Sequence, residues 1–181
     1  MRVSRDGRSI ETCRGDITQQ DTDAVVNAAN AQLAPGGGVA GAIHRAAGPE
    51  LWSACRPLGG CETGEAKLTD GFALPARWIV HTVGPIYGID RPADSLLAAS
   101  YRNSLRVADA AGARSIAFPA LSTGAFGYPM EEAAEVAIAT LLAAVPDCRS
   151  LTGVRMVLFG ASDLAIHDRV LGRQAVAAGW T

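Results

Sequence analysis

Apolar positions along the chain fall into short runs typical of β-strands and longer stretches with helical spacing. RVSRDGRSIETCRGD alternates its side chains around Asp6-Gly7, a dipeptide that favours a type I′ turn, so the chain is predicted to open with a hairpin. DAVVNAAN is predicted to form a short buried strand. Further strands are predicted in GEAKLTDGFAL and RWIVHTVG, joined around Asp70-Gly71, and in RSIAFPAL and GVRMVLFG.

Helical spacing of apolar residues predicts the elements between these strands. A helix over residues 39–47 has one apolar stripe, formed by Val39, Ala42, Ile43 and Ala46. A longer helix in PADSLLAASYRNSLRVADAAG has another, formed by Leu97, Tyr101, Leu105 and Ala108, and stops at Gly112. The other helices are predicted in GPELWSAC, PMEEAAEVAIATLLAAV and SDLAIHDRVLGRQAVAA, the last with Ser162 as its N-cap.

The order of these elements indicates the fold class. Strands alternate with helices in the second half, which is typical of parallel strands with crossover helices on both faces of a sheet. The first half adds hairpin-like antiparallel strands. The prediction is therefore an α/β fold, a three-layer α/β/α sandwich with a central mixed sheet, in which residues 1–181 form a single domain.

Composition narrows the class of protein. A hydrophobic fraction of 49% is that of a globular chain, and a net charge of -2 with scattered basic residues argues against a large binding surface for naked nucleic acid. No two of the four cysteines form a CxxC pair, so no metal site is expected, and reduced thiols suit a cytoplasmic protein. The chain has neither a secretory signal nor a spanning segment, and the expectation is a soluble protein without a membrane partner.

Candidate chemistry lies where strands end, because ligands of such sheets bind beyond the carboxyl ends of the strands. Gly36, Gly37 and Gly38 precede a helix, so their amide groups and the helix N-terminus favour an anion. The loop has neither the lysine of a P-loop nor a GxGxxG spacing. Taken alone, it is explained equally well as a tight connection.

A second loop, LSTGAFGYP, also offers hydroxyl and amide donors, and two such loops suggest a diphosphate held between them. Phe126 is either a surface for a ligand or a core anchor. Asp16 could accept from an exocyclic amine of a base, or cap a turn. Asn30 could bind ribose hydroxyls or loop backbone, and for Asn27 the backbone role is preferred. His81 is expected in the core, whereas His44 lies beside the buried stripe of its helix.

Six motifs together resemble the macrodomain family, in particular its MacroD-type branch, over about residues 10–171. They are GDIT, VVNAAN, GGGV followed by GAIHRAAGPEL, TGEAKLT, LPARWIVHTVGP and FPALSTGAFGYP. The family recognises ADP-ribose and uses no cofactor. The resemblance implies roles for adenine-binding Asp16, Ile17 and Phe159, for Asn30 at the distal ribose, for Gly37, Gly38 and Val39 in a first phosphate loop, and for Ser122, Thr123, Gly124, Ala125 and Phe126 in a second.

One position departs from the MacroD-type pattern, because Ala40 stands where an aspartate thought to activate water usually follows GGGV. Loss of a general base typically lowers a rate by about 10²–10⁴-fold without abolishing catalysis. The leading hypothesis is a mono-ADP-ribosyl hydrolase acting on acidic protein side chains, or an O-acetyl-ADP-ribose deacetylase, in which a ligand phosphate accepts the proton of water. Asn30 and Gly38 would position that water.

Two alternatives remain. The first is a non-catalytic module that binds free ADP-ribose or mono-ADP-ribosylated proteins. The second is recognition of ADP-ribosylated nucleic acid.

Overall fold

A seven-stranded mixed sheet forms the centre of the molecule, in a computed structural model that describes residues Met1–Thr181. Its strands are β1 (Arg2–Arg5), β2 (Arg8–Arg14), β3 (Ala24–Ala28), β4 (Ala66–Asp70), β5 (Trp78–Thr82), β6 (Ser115–Phe118) and β7 (Gly153–Leu158). They lie in the order β1-β2-β7-β6-β3-β5-β4. Strands β2, β7, β6, β3 and β5 are parallel, and the edge strands β1 and β4 pair antiparallel with β2 and β5. The predicted mixed sheet is confirmed.

Helices cover both faces of the sheet. They are α1 (Gly38–Ala47), α2 (Glu50–Cys55), α3 (Ala93–Ala110), α4 (Met130–Ala144) and α5 (Ala161–Ala177). Alternate residues of a strand point to opposite faces, and on β3 Val26 packs in the cluster that includes α3, α4 and α5, whereas Val25 packs in the cluster that includes α1 and α2. The three-layer α/β/α arrangement is therefore confirmed. No helix is long and apolar enough to cross a bilayer.

The predicted stripe of helix α1 is wrong in its rotational position. Ala46 is exposed and Ala42 only half-buried, whereas the buried face consists of Ala40, Gly41, Ile43, His44 and Ala47. The prediction considered only apolar side chains. The helix instead packs Gly41 against the preceding loop, and only a residue without a Cβ fits there, because a Cβ would collide with the carbonyl oxygen of Gly36.

The predicted N-cap of the last helix is also wrong. Helix α5 follows Gly160, whose backbone is extended, and no side chain caps its first turn. Ser162 lies inside that turn and is exposed. The predicted opening hairpin between β1 and β2 is confirmed. Its two turn residues, Asp6 and Gly7, both have the positive φ angles that a type I′ turn requires.

Candidate functional site

The carboxyl edge of the sheet brings all the predicted site residues to one side of the molecule. The five parallel strands end at this edge, and each continues into a loop. The residues from these loops are Asp16 and Ile17 after β2, Asn30, Gly37, Gly38 and Val39 after β3, Ser122, Thr123, Gly124, Ala125 and Phe126 after β6, and Phe159 after β7. Because β2 and β7 are neighbours and β6 and β3 are neighbours, the loops form a row with two distinct ends.

At the β2 and β7 end of the row, a carboxylate, a buried apolar residue and an exposed aromatic ring follow the strands. Asp16 Oδ1 accepts from the amide of Thr18 at 2.8 Å and from its hydroxyl at 2.7 Å, which is the cap that the sequence allowed. Both bonds use one oxygen, so Oδ2 is open to another donor. Ile17 is buried, whereas Phe159 is 85% exposed, an apolar surface with no protein cover.

The glycine loop presents bare backbone to open space at the start of α1. A Cβ at Gly37 or Gly38 would meet no atom within 4 Å, and Gly38 has φ +55°, a conformation that side chains disfavour. No side chain caps the helix, so its first amide groups lack protein acceptors there. These donors and the helix dipole make a position for an anion.

Asn30 fixes the entrance to this loop. Its Nδ2 donates to the carbonyl oxygen of Ala34 at 2.8 Å, and the Ala34 amide donates to Asn30 Oδ1 at 2.9 Å. Between them, Leu33 is fully buried with φ +58°, so its side chain anchors a strained backbone. Asn30 therefore binds loop backbone, as one reading of the sequence held, and keeps one proton and one lone pair for a ligand.

The second loop combines a strained, buried serine with open glycines. Ser122 has φ +66°, is 7% exposed, and its Oγ has no hydrogen-bond partner. Thr123 donates its hydroxyl to the Ala120 carbonyl at 2.8 Å. A Cβ at Gly124 or Gly127 would meet nothing within 4 Å, so this loop also faces open space. Its bare backbone at Gly124 and Gly127 resembles that of the glycine loop.

Phe126 lies at the end of the second loop and is only half-buried. It packs against the cluster of apolar residues beneath α1 and α2, and Val39 of the glycine loop packs against the same cluster. Both readings of Phe126 therefore hold in part, because the ring is anchored to the core and still presents a surface. Ala125 beside it is exposed.

Ala40 lies in the first turn of α1 and is 5% exposed. Its methyl group supplies neither a proton acceptor nor a charge, so the start of the helix carries no carboxylate at this position. No group of three or more His, Cys, Asp or Glu side chains is arranged to hold a metal ion. The polar groups that the structure places at the glycine loop are its backbone amides and the Asn30 side chain.

Two histidines, His81 on β5 and His44 on α1, are buried in the protein. His81 is fully buried, its Nδ1 is 3.0 Å from Asn27 Nδ2, and its Nε2 is 2.8 Å from the Thr69 hydroxyl. Burial lowers the pKa of His81 to about 3, so the ring is neutral. Asn27 thus bonds a core histidine instead of loop backbone. His44 is buried on α1 with an unpartnered Nε2, and burial lowers its pKa.

The loop that follows β5 was not predicted to contact the site, yet it packs against the second loop. A Cβ at Gly84 would collide with Ser122 Oγ, and the amide of Tyr87 donates to the carbonyl oxygen of Phe126 at 2.9 Å. The segment GPIYG contained a signal, since it places a tyrosine between two glycines at the end of a predicted strand. This loop holds the second loop in place.

Comparisons with known proteins agree with this geometry. The family model described as Macro domain matches residues 26–137. A macro domain-containing protein of Chlorobaculum tepidum is 50% identical over 163 residues, covering 90% of this chain and 95% of the relative. An O-acetyl-ADP-ribose deacetylase of Klebsiella pneumoniae is 49% identical over 166 residues, covering 89% and 95%.

Solved structures match over nearly the whole chain. The Oceanobacillus iheyensis macrodomain with ADP has a TM-score of 0.94 at 40% identity, covering 98% of this chain and 97% of its own. The G37V mutant of that macrodomain with ADPR has a TM-score of 0.92 at 39% identity, covering 97% and 98%.

Proposed function

This chain belongs to the Macro domain family, and we propose that it binds ADP-ribose along the carboxyl edge of its sheet and hydrolyses esters of that nucleotide. The observation that carries the proposal is the pair of loops whose glycines, Gly37 and Gly38 on one side and Gly124 and Gly127 on the other, face open space. Backbone without side chains, beside a helix N-terminus, suits a diphosphate. A relative that is named O-acetyl-ADP-ribose deacetylase and a structural neighbour solved with ADP support the choice of ligand.

The order of the loops along the edge of the sheet determines which end of ADP-ribose each loop would bind. The free Oδ2 of Asp16 would accept from the adenine amino group, with Ile17 beside it and the exposed ring of Phe159 stacking on the base. The diphosphate would lie between Gly37, Gly38 and Val39 on one side and the second loop on the other. The remaining donor of Asn30 would bind the distal ribose, and Phe126 would cover it. Ser122 Oγ is buried against Gly84, so the second loop would bind the diphosphate through its backbone and not through this hydroxyl.

The proposed reaction is attack of water on an ester of the distal ribose. Water attacks either the acyl carbon or the ribose carbon of the ester, and the bond from that carbon to the bridging oxygen breaks. The bridging oxygen leaves with the other fragment and takes up a proton, so the products are free ADP-ribose and a carboxylic acid. With Ala40 in the first turn of α1, a ligand phosphate oxygen would accept the proton that water loses. Asn30 and the Gly38 backbone would position the water, and orientation alone contributes a large part of many catalytic effects. Loop amides would stabilise developing charge.

Two ester substrates fit this reaction, and an assay with both would test it. They are a protein mono-ADP-ribosylated on glutamate or aspartate and the small molecule O-acetyl-ADP-ribose. Release of free ADP-ribose is measured against an enzyme-free control, with serine-linked and arginine-linked ADP-ribose as non-ester controls. We expect release from the esters only. No release above the control from either ester would remove the hydrolase proposal.

A second candidate function is a module that binds ADP-ribose without turnover, and the observation that favours it is Ala40. The buried methyl group leaves the helix start without a general base. This reader would bind free ADP-ribose and mono-ADP-ribosylated proteins with the same loops. Binding in calorimetry together with no release in the ester assay would establish the reader. ADP-ribosylated nucleic acid is a further target, and a mobility-shift assay with end-modified strands tests it.

Substitution of the glycine loop would weaken the complex without abolishing it. The neighbour solved as a G37V mutant still contains ADPR. In this chain, a valine side chain in place of Gly37 would likewise project into open space and not into the protein. We therefore expect the diphosphate to shift away from the new methyl groups and to keep part of its hydrogen bonds.

A further inference from the structure

A closed turn formed by residues 86–90 follows β5 and holds itself together. The amides of Ile89 and Asp90 donate to the carbonyl oxygen of Ile86 at 3.1 and 2.9 Å. The amide of Ile86 in turn donates to Asp90 Oδ2 at 2.8 Å. The bonds use the backbone and one carboxylate, so the shape of the turn does not depend on the side chains of Tyr87 and Ile89.

This 86–90 turn is fixed against the second loop of the site. The Tyr87 amide donates to the carbonyl oxygen of Phe126 at 2.9 Å, and the ring of Tyr87 packs on that of Tyr128 with centroids 4.8 Å apart. The Tyr87 hydroxyl donates to Glu132 Oε2 at 2.9 Å. The turn is therefore a rigid extension of the loop that ends at Phe126.

The 86–90 turn exposes apolar side chains where turns usually carry polar ones. Ile89 is 71% exposed and Tyr87 is 41% exposed. The other exposed aromatic at this edge, Phe159, follows β7, which is separated from β5 by β6 and β3. The two apolar surfaces thus lie toward opposite ends of the row of loops. Three strand spacings separate β7 from β5, which is about 14 Å.

The position of the turn relative to the proposed ligand indicates which part of a substrate the turn would contact. With adenine at Phe159 and the distal ribose at Phe126, the turn lies beyond the ribose, on the side where a modified residue would be attached. We propose that Ile89, on the 86–90 turn, packs against an apolar side chain next to the modified residue of an ADP-ribosylated polypeptide. This inference rests on the proposed function and deepens it, because it selects a polypeptide over a small ester as the preferred substrate.

The test measures binding, so that turnover does not interfere. Two peptides carry ADP-ribose through a hydrolysis-resistant analogue of the glutamate ester, one with leucine and one with glycine beside the modified residue. Ile89→Ser is compared with the control Val176→Ser, which removes an equally exposed apolar side chain at the far end of α5. We expect Ile89→Ser to weaken the leucine peptide about threefold to tenfold, since part of one apolar side chain is no longer buried. Affinity for the glycine peptide and for free ADP-ribose should be unchanged, and Val176→Ser should bind all three like the wild type.

The outcomes separate this inference from the function on which it rests. If the wild type binds free ADP-ribose and both peptides with equal affinity, or if Ile89→Ser keeps the affinity of the wild type for the leucine peptide, the inference alone is overturned. Equal weakening of all three ligands by Ile89→Ser would also overturn it, because the residue would then act on the nucleotide site. If the wild type retains no ADP-ribose at all, the proposed function fails and the inference fails with it.

Discussion

Asn30 and Ala34 form a closed ring of two hydrogen bonds, in which the side-chain amide of one residue pairs with both backbone groups of the other. The distances are 2.8 Å from Asn30 Nδ2 to the Ala34 carbonyl oxygen and 2.9 Å from the Ala34 amide to Asn30 Oδ1. The ring shapes the chain just before the glycine loop. One side chain therefore builds the loop and, under the proposed function, would also donate its remaining proton to the ribose.

Asn30→Ala is expected to affect stability and binding together. Two hydrogen bonds to backbone are lost, which lowers the free energy of unfolding by about 1–2 kcal/mol. The affinity for ADP-ribose falls as well, because the loop loses its brace and the ribose loses a donor. Urea denaturation and calorimetry measure the two effects. Asn30→Asp keeps the acceptor for the Ala34 amide, and we expect it to recover part of the stability but not the affinity. A denaturation midpoint of Asn30→Ala equal to that of the wild type would show that the ring does not stabilise the fold.

Gly37→Val is expected to weaken ADP-ribose binding about tenfold or more while leaving the fold intact. Gly37 has an extended backbone with φ −92°, which valine adopts readily, and its Cβ would meet no protein atom within 4 Å. The new side chain occupies space that the diphosphate would use, and such crowding typically costs about 1–3 kcal/mol. Calorimetry gives the affinity and thermal denaturation gives the stability.

Gly38→Val is the matched comparison for that variant. Gly38 has φ +55°, so a side chain there strains the backbone by about 1–2 kcal/mol and lowers the melting temperature. Unchanged affinity in both variants would mean that the diphosphate lies away from this loop.

Ala40→Asp is expected to raise turnover of a glutamate-linked substrate about 100-fold, the scale of an added general base. Position 40 is in the first turn of α1, where the helix dipole favours a carboxylate. Single-turnover kinetics measure the rate with substrate saturating the site. Ala46→Asp adds the same charge at an exposed position of the same helix and should leave the rate unchanged. An unchanged rate for Ala40→Asp would place the reacting water elsewhere.

Acidification is expected to destabilise the fold through the neutral core histidine His81. Burial lowers its pKa to about 3 in the folded state, compared with about 6.5 in an unfolded chain. Between these values the unfolded chain binds the extra proton, so stability is full above pH 6.5 and declines as the pH falls toward 3. From pH 7.5 to 5, His81 alone removes about 2 kcal/mol of unfolding free energy.

Urea denaturation at the two pH values measures this loss, and His81→Gln should reduce it by that share. The pKa values of His44 and His167 are also lowered by burial, so their contributions have the same sign and remain in the variant. Nuclear magnetic resonance provides an independent check on the wild type. A ring of His81 that becomes protonated near pH 6 would contradict the account.

The sequence predicted the mixed sheet and the three layers, because alternating and helical apolar spacing depends on local residues. It did not predict the rotation of α1. The burial of Gly41 and His44 follows from contacts with a loop and with the core, and apolar spacing contains no information on either. The predicted N-cap of α5 was wrong for a related reason, since Gly160, two residues after β7, already has the extended conformation that a helix N-cap position requires.

Two backbone conformations near the site could not be predicted from local sequence patterns either. Leu33 and Ser122 are not residues that favour positive φ, yet both adopt it, because burial of Leu33 and the contact between Ser122 and Gly84 determine their backbone. Each of these contacts joins segments far apart in the sequence or depends on tight packing. The opposite holds for Asp16, whose cap on Thr18 is local and was among the readings of the sequence.

The central claim is that bare backbone in two loops holds a diphosphate, and a crystal structure of the complex with ADP-ribose tests it most directly. The account predicts the diphosphate between the amides at Gly37 and Gly38 and the loop from Ser122 to Phe126, with adenine beside Asp16 and Phe159. A nucleotide bound at another edge of the sheet, or the two loops in contact with no space between them, would contradict it.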